Sequence, residues 1–191
     1  FLPKSANSAA ETFYGIKGGA GEQNTPTLAL FDSFDPKDPR RDVTVAKGYT
    51  DNNGAFQGFL QIATFTKKYL APTNSLNDSK VIWIVIRYAD VLLLYAEALN
   101  EYVKTDIALT YLNQVRTRAK MPAYTTMTKD ELRTNIYKER IYELSMEGVR
   151  WFDLARTNRL ESVMGPLGLK PFNALFPIPL VEIQIINNPS I

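Results

Sequence analysis

The stretch Arg87–Tyr102, RYADVLLLYAEALNEY, constrains the fold more than any other part of the chain. Tyr88, Val91, Leu92, Tyr95, Leu99 and Tyr102 recur at the three- and four-residue spacing of one helical face. Ala89, Leu93, Leu94, Ala96 and Ala98 fill much of the remaining circumference, which predicts a helix buried on nearly all sides. Asp90, Glu97 and Glu101 form a narrow acidic stripe on it, with Arg87 one turn before Asp90. A carboxylate on a buried helix is costly unless a cation or donor reaches it, so the stripe predicts basic partners elsewhere. The segments Val115–Ala119 (VRTRA) and Arg150–Arg156 supply them.

Helical signals continue downstream. Thr105 or Asp106 can cap a second helix whose inward face is Ala108, Leu112, Val115 and Ala119, with Pro122 beyond its end. Thr128-Lys129-Asp130-Glu131 is a capping-box pattern that opens a third helix, with Ile136, Tyr137, Ile141 and Leu144 as its core stripe and Gly148 as its stop. A short fourth helix carries Trp151, Phe152, Leu154 and Ala155, all read as core. The tail from 161 to 191 is studded with Pro, with a turn or two of helix at Leu180–Ile186.

Before Arg87 the pattern is different. Residues 1–80 read as irregular and loop-rich, with Gly15, Gly18, Gly19 and Gly21 breaking any early helix and FDSFDPKDPRRD (Phe31–Asp42) favouring turns. Val43–Val45 and Phe59–Tyr69 read as short strands, with a hairpin through Asp51–Gly54. Val81–Ile86 (VIWIVI) reads as a buried connector into the organising helix. The fold class is therefore mainly all-α: helix pairs of the tetratricopeptide kind, a loop-rich N-terminal segment and a Pro-rich tail, in one domain over residues 1–191.

Composition closes off several functions. The chain has no Cys and no His, which removes disulfides, thiolate or imidazole metal sites, and Ser–His–Asp or Cys–His catalysis. A net charge of +2 over 191 residues gives no reason to expect nucleic acid as a partner. Asp32, Asp35 and Asp38 lack the spacing of an EF-hand loop, and GIKGGAG lacks the ending of a phosphate-binding loop, so no metal or cofactor is assigned. No apolar run reaches the roughly 18 residues of a membrane span. The chain starts at Phe1 without a visible signal peptide, which reads as a processed product or a fragment.

Four segments, in order, resemble one family: IRYADVLLLYAEALNE (Ile86–Glu101), LNQVRTRA (Leu112–Ala119), ERIYELSMEGVRWFDLART (Glu139–Thr157) and LFPIPLVEIQIINNP (Leu175–Pro189). They are similar to the C-terminal portion of the SusD/RagB family, the outer-membrane nutrient-binding lipoproteins of glycan-using Gram-negative bacteria. The DPRR run (Asp38–Arg41) and the KKY run (Lys67–Tyr69) resemble it more weakly. The resemblance implies a helical scaffold with ligand loops on one side, a lipid anchor at the cell surface, and pairing with a SusC-like TonB-dependent transporter. It implies capture of an oligosaccharide, or of a peptide in the RagB-like branch, without catalysis. The lipidated Cys and the family's N-terminal helices are missing here, and the tail stops short of the usual aromatic ending.

Glu139, Glu143 and Glu147 share one helix face at four-residue spacing. Two carboxylates so placed can act as acid and base in glycoside hydrolysis. The reading preferred here is a structural ion network of Arg87, Asp90, Glu97, Arg116, Glu139, Glu143, Glu147, Arg150 and Asp153, because the acids lie beside core positions with arginines available to compensate them. Sugar binding needs flat aromatic faces beside amides. Tyr49, Asn52, Asn53, Phe56 and Gln57 alternate these types in one loop, and Tyr14 and Trp83 are further candidates. The competing reading is that these aromatics pin a long loop to the helices. A third functional class is a helical-repeat module whose main ligand is the transporter itself.

Overall fold

A computed structural model describes residues 26–50, 56–58, 64, 66–68 and 84–186. The chain is mostly helical and divides after Gly148 into two compact units, residues 1–148 and 149–191.

The first unit is built on three helices, α3 (Tyr88–Glu101), α4 (Thr105–Arg118) and α5 (Lys129–Leu144). Ahead of them lie α1 (Leu28–Ser33), the single turn α2 (Arg41–Thr44), and strands β1 (Gly48–Thr50) and β2 (Phe56–Gly58). The strands pair antiparallel with Tyr49 opposite Gln57 and Thr50 opposite Phe56. α3 packs most closely on α4 and then on α5, and α4 also touches α5. Leu93, Leu112, Leu132 and Ile136 are fully buried between them.

Local chemistry explains where the helices start and stop. The Thr128 hydroxyl accepts from the Glu131 amide while the Glu131 carboxylate accepts from the Thr128 amide at 2.8 Å, so α5 opens on the reciprocal box its sequence encodes. α4 instead begins after Lys104, which makes no side-chain cap, with Thr105 already inside the helix. α3 and α4 each end on a left-handed residue, Val103 (φ 64°) and Lys120 (φ 59°). Lys104 N donates to Leu99 O and Met121 N to Arg116 O, both at 2.9 Å, closing the same six-residue turn in each case. A β-branched residue in the left-handed region is strained, because its Cβ crowds the next carbonyl. Asn113 then fixes the α4–α5 connection, donating to Tyr124 O at 2.9 Å and accepting from Tyr124 N at 2.8 Å.

The α3 face differs from the one its sequence predicts. Leu92, Leu93, Ala96, Leu99 and Asn100 are buried, whereas Tyr88 is 72% exposed and Val91, Leu94 and Tyr95 are also exposed. Small Ala96 is fully buried on the covered face, and Tyr95 meets Tyr111 of α4 edge-on at 4.8 Å. The α4 face Ala108, Leu112, Val115 and Ala119 is buried as predicted. On α5, Ile136 and Leu144 are buried, Tyr137 and Ile141 are half-buried, and Leu132 joins the core.

Four expectations before α3 are corrected. The loop-rich segment contains α1 and α2 as well as the hairpin. Val43–Thr44 lies in a helical turn, because Asp38 and Arg40 set up consecutive turns through Arg41 N to Asp38 O and Thr44 N to Arg40 O. Local hydrogen bonding overrides the β preference of Val and Thr there. Thr64 and Thr66–Lys68 are in no strand; the rest of the predicted strand Phe59–Tyr69, like Val81–Trp83, lies outside the described residues. Ile84, Val85 and Ile86 are exposed, because the entry to α3 is held by the Arg87 guanidinium and not by the apolar run before it.

The second unit comprises α6 (Arg150–Arg156), α7 (Leu160–Met164), two 3-10 turns at Gly165–Leu167 and Pro171–Ala174, and α8 (Leu180–Ile186). Leu154 and Leu160 are buried. Trp151 is half-buried and Phe152 is exposed, so Phe152 is not the core residue its helical neighbours suggested.

Candidate functional site

The polar centre of the first unit forms on the last two turns of α5 and the turn that follows. Glu139 and Glu143 are buried on the helix face, and Glu147 lies just past its end. Buried carboxylates require cations, and four segments deliver them. Arg40 Nη1 reaches Glu139 at 2.6 Å and Glu143 at 2.9 Å, while its other nitrogens hold Asp38. Arg87 bonds Glu143 at 2.5 Å and Glu147 at 2.7 Å. Arg116 donates to Glu139 at 2.9 Å and lies 3.7 Å from the Tyr124 ring centroid. Arg118 donates to Glu143 through Nη2. Lys68 Nζ bonds Glu147 Oε1 and the carbonyls of Glu143 and Ser145, all at 2.8 Å. Lys68 and Arg87, which donates to Glu143 O at 2.6 Å, thus satisfy carbonyls freed at the end of α5, where the helix dipole also favours cations.

Aromatic contacts bring the N-terminal segment to this face. Tyr142 packs on Phe34 with ring centroids 4.7 Å apart and donates its hydroxyl to Ser33 O at 2.8 Å. The result is a cleft of about 390 Å³. Arg40, Lys68, Arg87, Glu143 and Glu147 line its depth, with Pro39, Val43, Ile84, Arg118 and Lys120 also on its walls.

The electrostatics limit the chemistry. Burial raises the Glu143 carboxyl, but hydrogen bonds from Arg87 and Arg40 and the charges of Arg87 and Arg118 outweigh it, leaving the group below the usual carboxylate range. A general acid in glycoside hydrolysis needs the opposite shift. Glu143 is therefore held ionised and engaged by three arginines, unsuited to donating a proton. Burial pulls the Lys68 ammonium down in spite of Glu147 beside it.

The remaining candidates are distributed as follows. Asp90 accepts from Arg140 at 2.7 Å, Glu97 is half-buried on α3, and in the second unit Asp153 accepts from Arg156 at 2.8 Å. Arg150 is lowered by burial, with the Arg159 charge adding to it. Tyr14, Asn52, Asn53 and Trp83 lie outside the described residues; Tyr49, Phe56 and Gln57 lie on β1 and β2, where the backbone pairing brings Tyr49 and Gln57 into register. Sequence reasoning missed Asp38, Arg40, Lys68 and Arg118 as members of the cluster. The DPRR and KKY runs carried the signal for three of them. Among the described residues no group of acids could hold a metal, and no helix is long and apolar enough to cross a membrane. Asp38 is taken by Arg40, Asp35 by the Lys37 amide at 2.8 Å, and Asp32 lies 3.7 Å from Lys47.

Known proteins share this architecture. The model of the SusD family matches residues 5–168. SusD-like protein P38 of Formosa agariphila is 38% identical over 142 residues, covering 69% of this chain and 27% of that protein. SusD-like protein P2 of the same organism is 30% identical over 212 residues, covering 93% of this chain and 42% of that protein. The chain thus spans less than half the length of these curated relatives. A SusD superfamily protein from Parabacteroides distasonis superposes with a TM-score of 0.63 at 25% identity, covering 84% of this chain and 40% of the other. With most of its length matched by the family model and its helices superposing on a member, the chain belongs to the SusD family.

Proposed function

We propose that this chain forms part of a cell-surface glycan-binding protein of the outer membrane, which captures an oligosaccharide without cleaving it and passes it to a SusC-like TonB-dependent transporter. The observation that carries this reading is the SusD family match over residues 5–168. The engagement of Glu139, Glu143 and Glu147 in ion pairs supports binding over hydrolysis. The helices serve as scaffold, and the segments before Arg87 supply ligand contacts. Tyr49 and Gln57 stand opposite each other in the backbone register of β1 and β2, and an aromatic ring and an amide are the two group types that a sugar's apolar face and hydroxyls require.

Isothermal calorimetry against a panel of oligosaccharides and peptides tests the reading, with chromatography of each mixture for new reducing ends. A saccharide that binds and is recovered intact, with binding weakened by Tyr49→Ala, is the expected result. Binding of peptides alone, or release of shorter saccharides, overturns it.

A further inference from the structure

We propose that the cleft beside Glu143 is a subsite for an acidic sugar, whose carboxylate or sulfate lies against Arg118 and Lys120 at its mouth. This rests on the saccharide-binding reading above and specifies the class of saccharide.

Charge balance is the first argument. Arg40, Lys68, Arg87, Arg116 and Arg118 face the carboxylates of Asp38, Glu139, Glu143 and Glu147, one cation in excess. Lys120, exposed on the same cleft, adds a second. A ligand oxyanion would neutralise that surplus through charge-assisted hydrogen bonds.

The unused donors are also in the right place. Arg40 and Arg87 engage all their guanidinium nitrogens with acids or carbonyls. Among the described residues Arg118 spends only Nη2, on Glu143, and its side chain is 60% exposed. Lys120 makes no ion pair or side-chain hydrogen bond among the described residues, and its left-handed backbone is fixed by the closing turn of α4.

The walls favour a sugar over a bare inorganic anion. Exposed Pro39, Val43 and Ile84 line the cleft and offer apolar surface to the C–H face of a pyranose. A volume of about 390 Å³ lies within the range of small-molecule sites. Cations and apolar walls together fit a uronate or a sulfated pyranose.

The test is calorimetry with oligogalacturonate, a sulfated galacto-oligosaccharide and a neutral galacto-oligosaccharide of the same length. Two variants accompany the full chain. Lys120→Gln removes an exposed cation that has no ion-pair partner among the described residues, and Arg118→Lys keeps a charge for Glu143. At least one acidic ligand should bind more tightly than the neutral one, and Lys120→Gln should weaken that ligand about fivefold, the worth of one exposed ion pair. Arg118→Lys should weaken it too, with unchanged thermal stability, and added salt should weaken it further. Neutral saccharide binding as tightly as the acidic ones, or Lys120→Gln leaving acidic affinity unchanged, overturns the subsite and leaves the saccharide-binding reading standing. Inorganic phosphate or a phosphopeptide binding where acidic sugars do not also overturns it.

Discussion

Glu143→Gln is the most informative single substitution in this chain. The wild-type side chain is 2% exposed and accepts from Arg40, Arg87 and Arg118. The amide removes the negative charge and turns one acceptor into a donor facing guanidinium groups. Breaking a buried ion pair from one side costs about 3–5 kcal/mol, mostly through the charges left behind. With a urea m-value of about 2 kcal/mol per molar, the unfolding midpoint should fall by about 2 M. Urea titration followed by far-ultraviolet circular dichroism reads this directly. Glu101→Gln is the control: Glu101 pairs with Arg133 and Lys129 and its pKa is drawn down to about 2, yet its side chain is 43% exposed. An exposed pair is worth only about 0.2–1 kcal/mol, because solvent screens it. If Glu143→Gln costs no more than Glu101→Gln, the buried cluster is not what holds the α5 end, and the argument built on it fails.

Three further outcomes follow from the same geometry. Thr128→Ala should cost about 1 kcal/mol in urea unfolding by removing half of the capping box, with Thr128→Ser close to wild type. Val103→Gly should raise stability by about 1 kcal/mol, because an exposed β-branched residue no longer sits at φ 64°; the thermal midpoint reads the change. Glu143 and Glu101 both titrate below the ordinary carboxylate range in the folded chain. Their contribution is therefore present above about pH 4.3 and lost as pH falls through the folded values, so urea midpoints at pH 7, 4, 3 and 2 should drop most between 4 and 2. Glu101→Gln should flatten only a small part of that fall.

Legibility in the sequence tracks how local each signal is. The α5 capping box involves residues three apart, and the α4 face repeats within one helix, so both were readable. The face of α3 was not: an apolar residue occurs at nearly every angle, and only the packing of α4 and α5 against Ala96 and Asn100 decides which side is covered. Asn100 is itself buried, donating to Lys129 O at 2.9 Å, where an apolar stripe would not have placed it. Glu139, Glu143 and Glu147 could be grouped by their spacing, but their partners could not be enumerated. Arg40 reaches Glu143 across 103 residues, a relation no window along the chain contains. The turn at Arg41–Thr44 escaped for the reverse reason, because hydrogen bonds donated by the Arg41 and Thr44 amides to the Asp38 and Arg40 carbonyls outvoted the β preference of two residues.

That convergence bears on how the chain assembles. The three arginines reach Glu143 from 103, 56 and 25 residues away, so no early, local piece of structure contains the complete set. Closing the longer loops adds little, since each doubling of loop length costs only about 0.6 kcal/mol. The penalty falls on half-built states. A helical pair that dried the carboxylate before the segments carrying Arg40 and Arg87 had docked would strand a charge in the interior. The cost of an unpaired buried carboxylate thus favours docking of the N-terminal segment and the helices together over any state that buries Glu143 first.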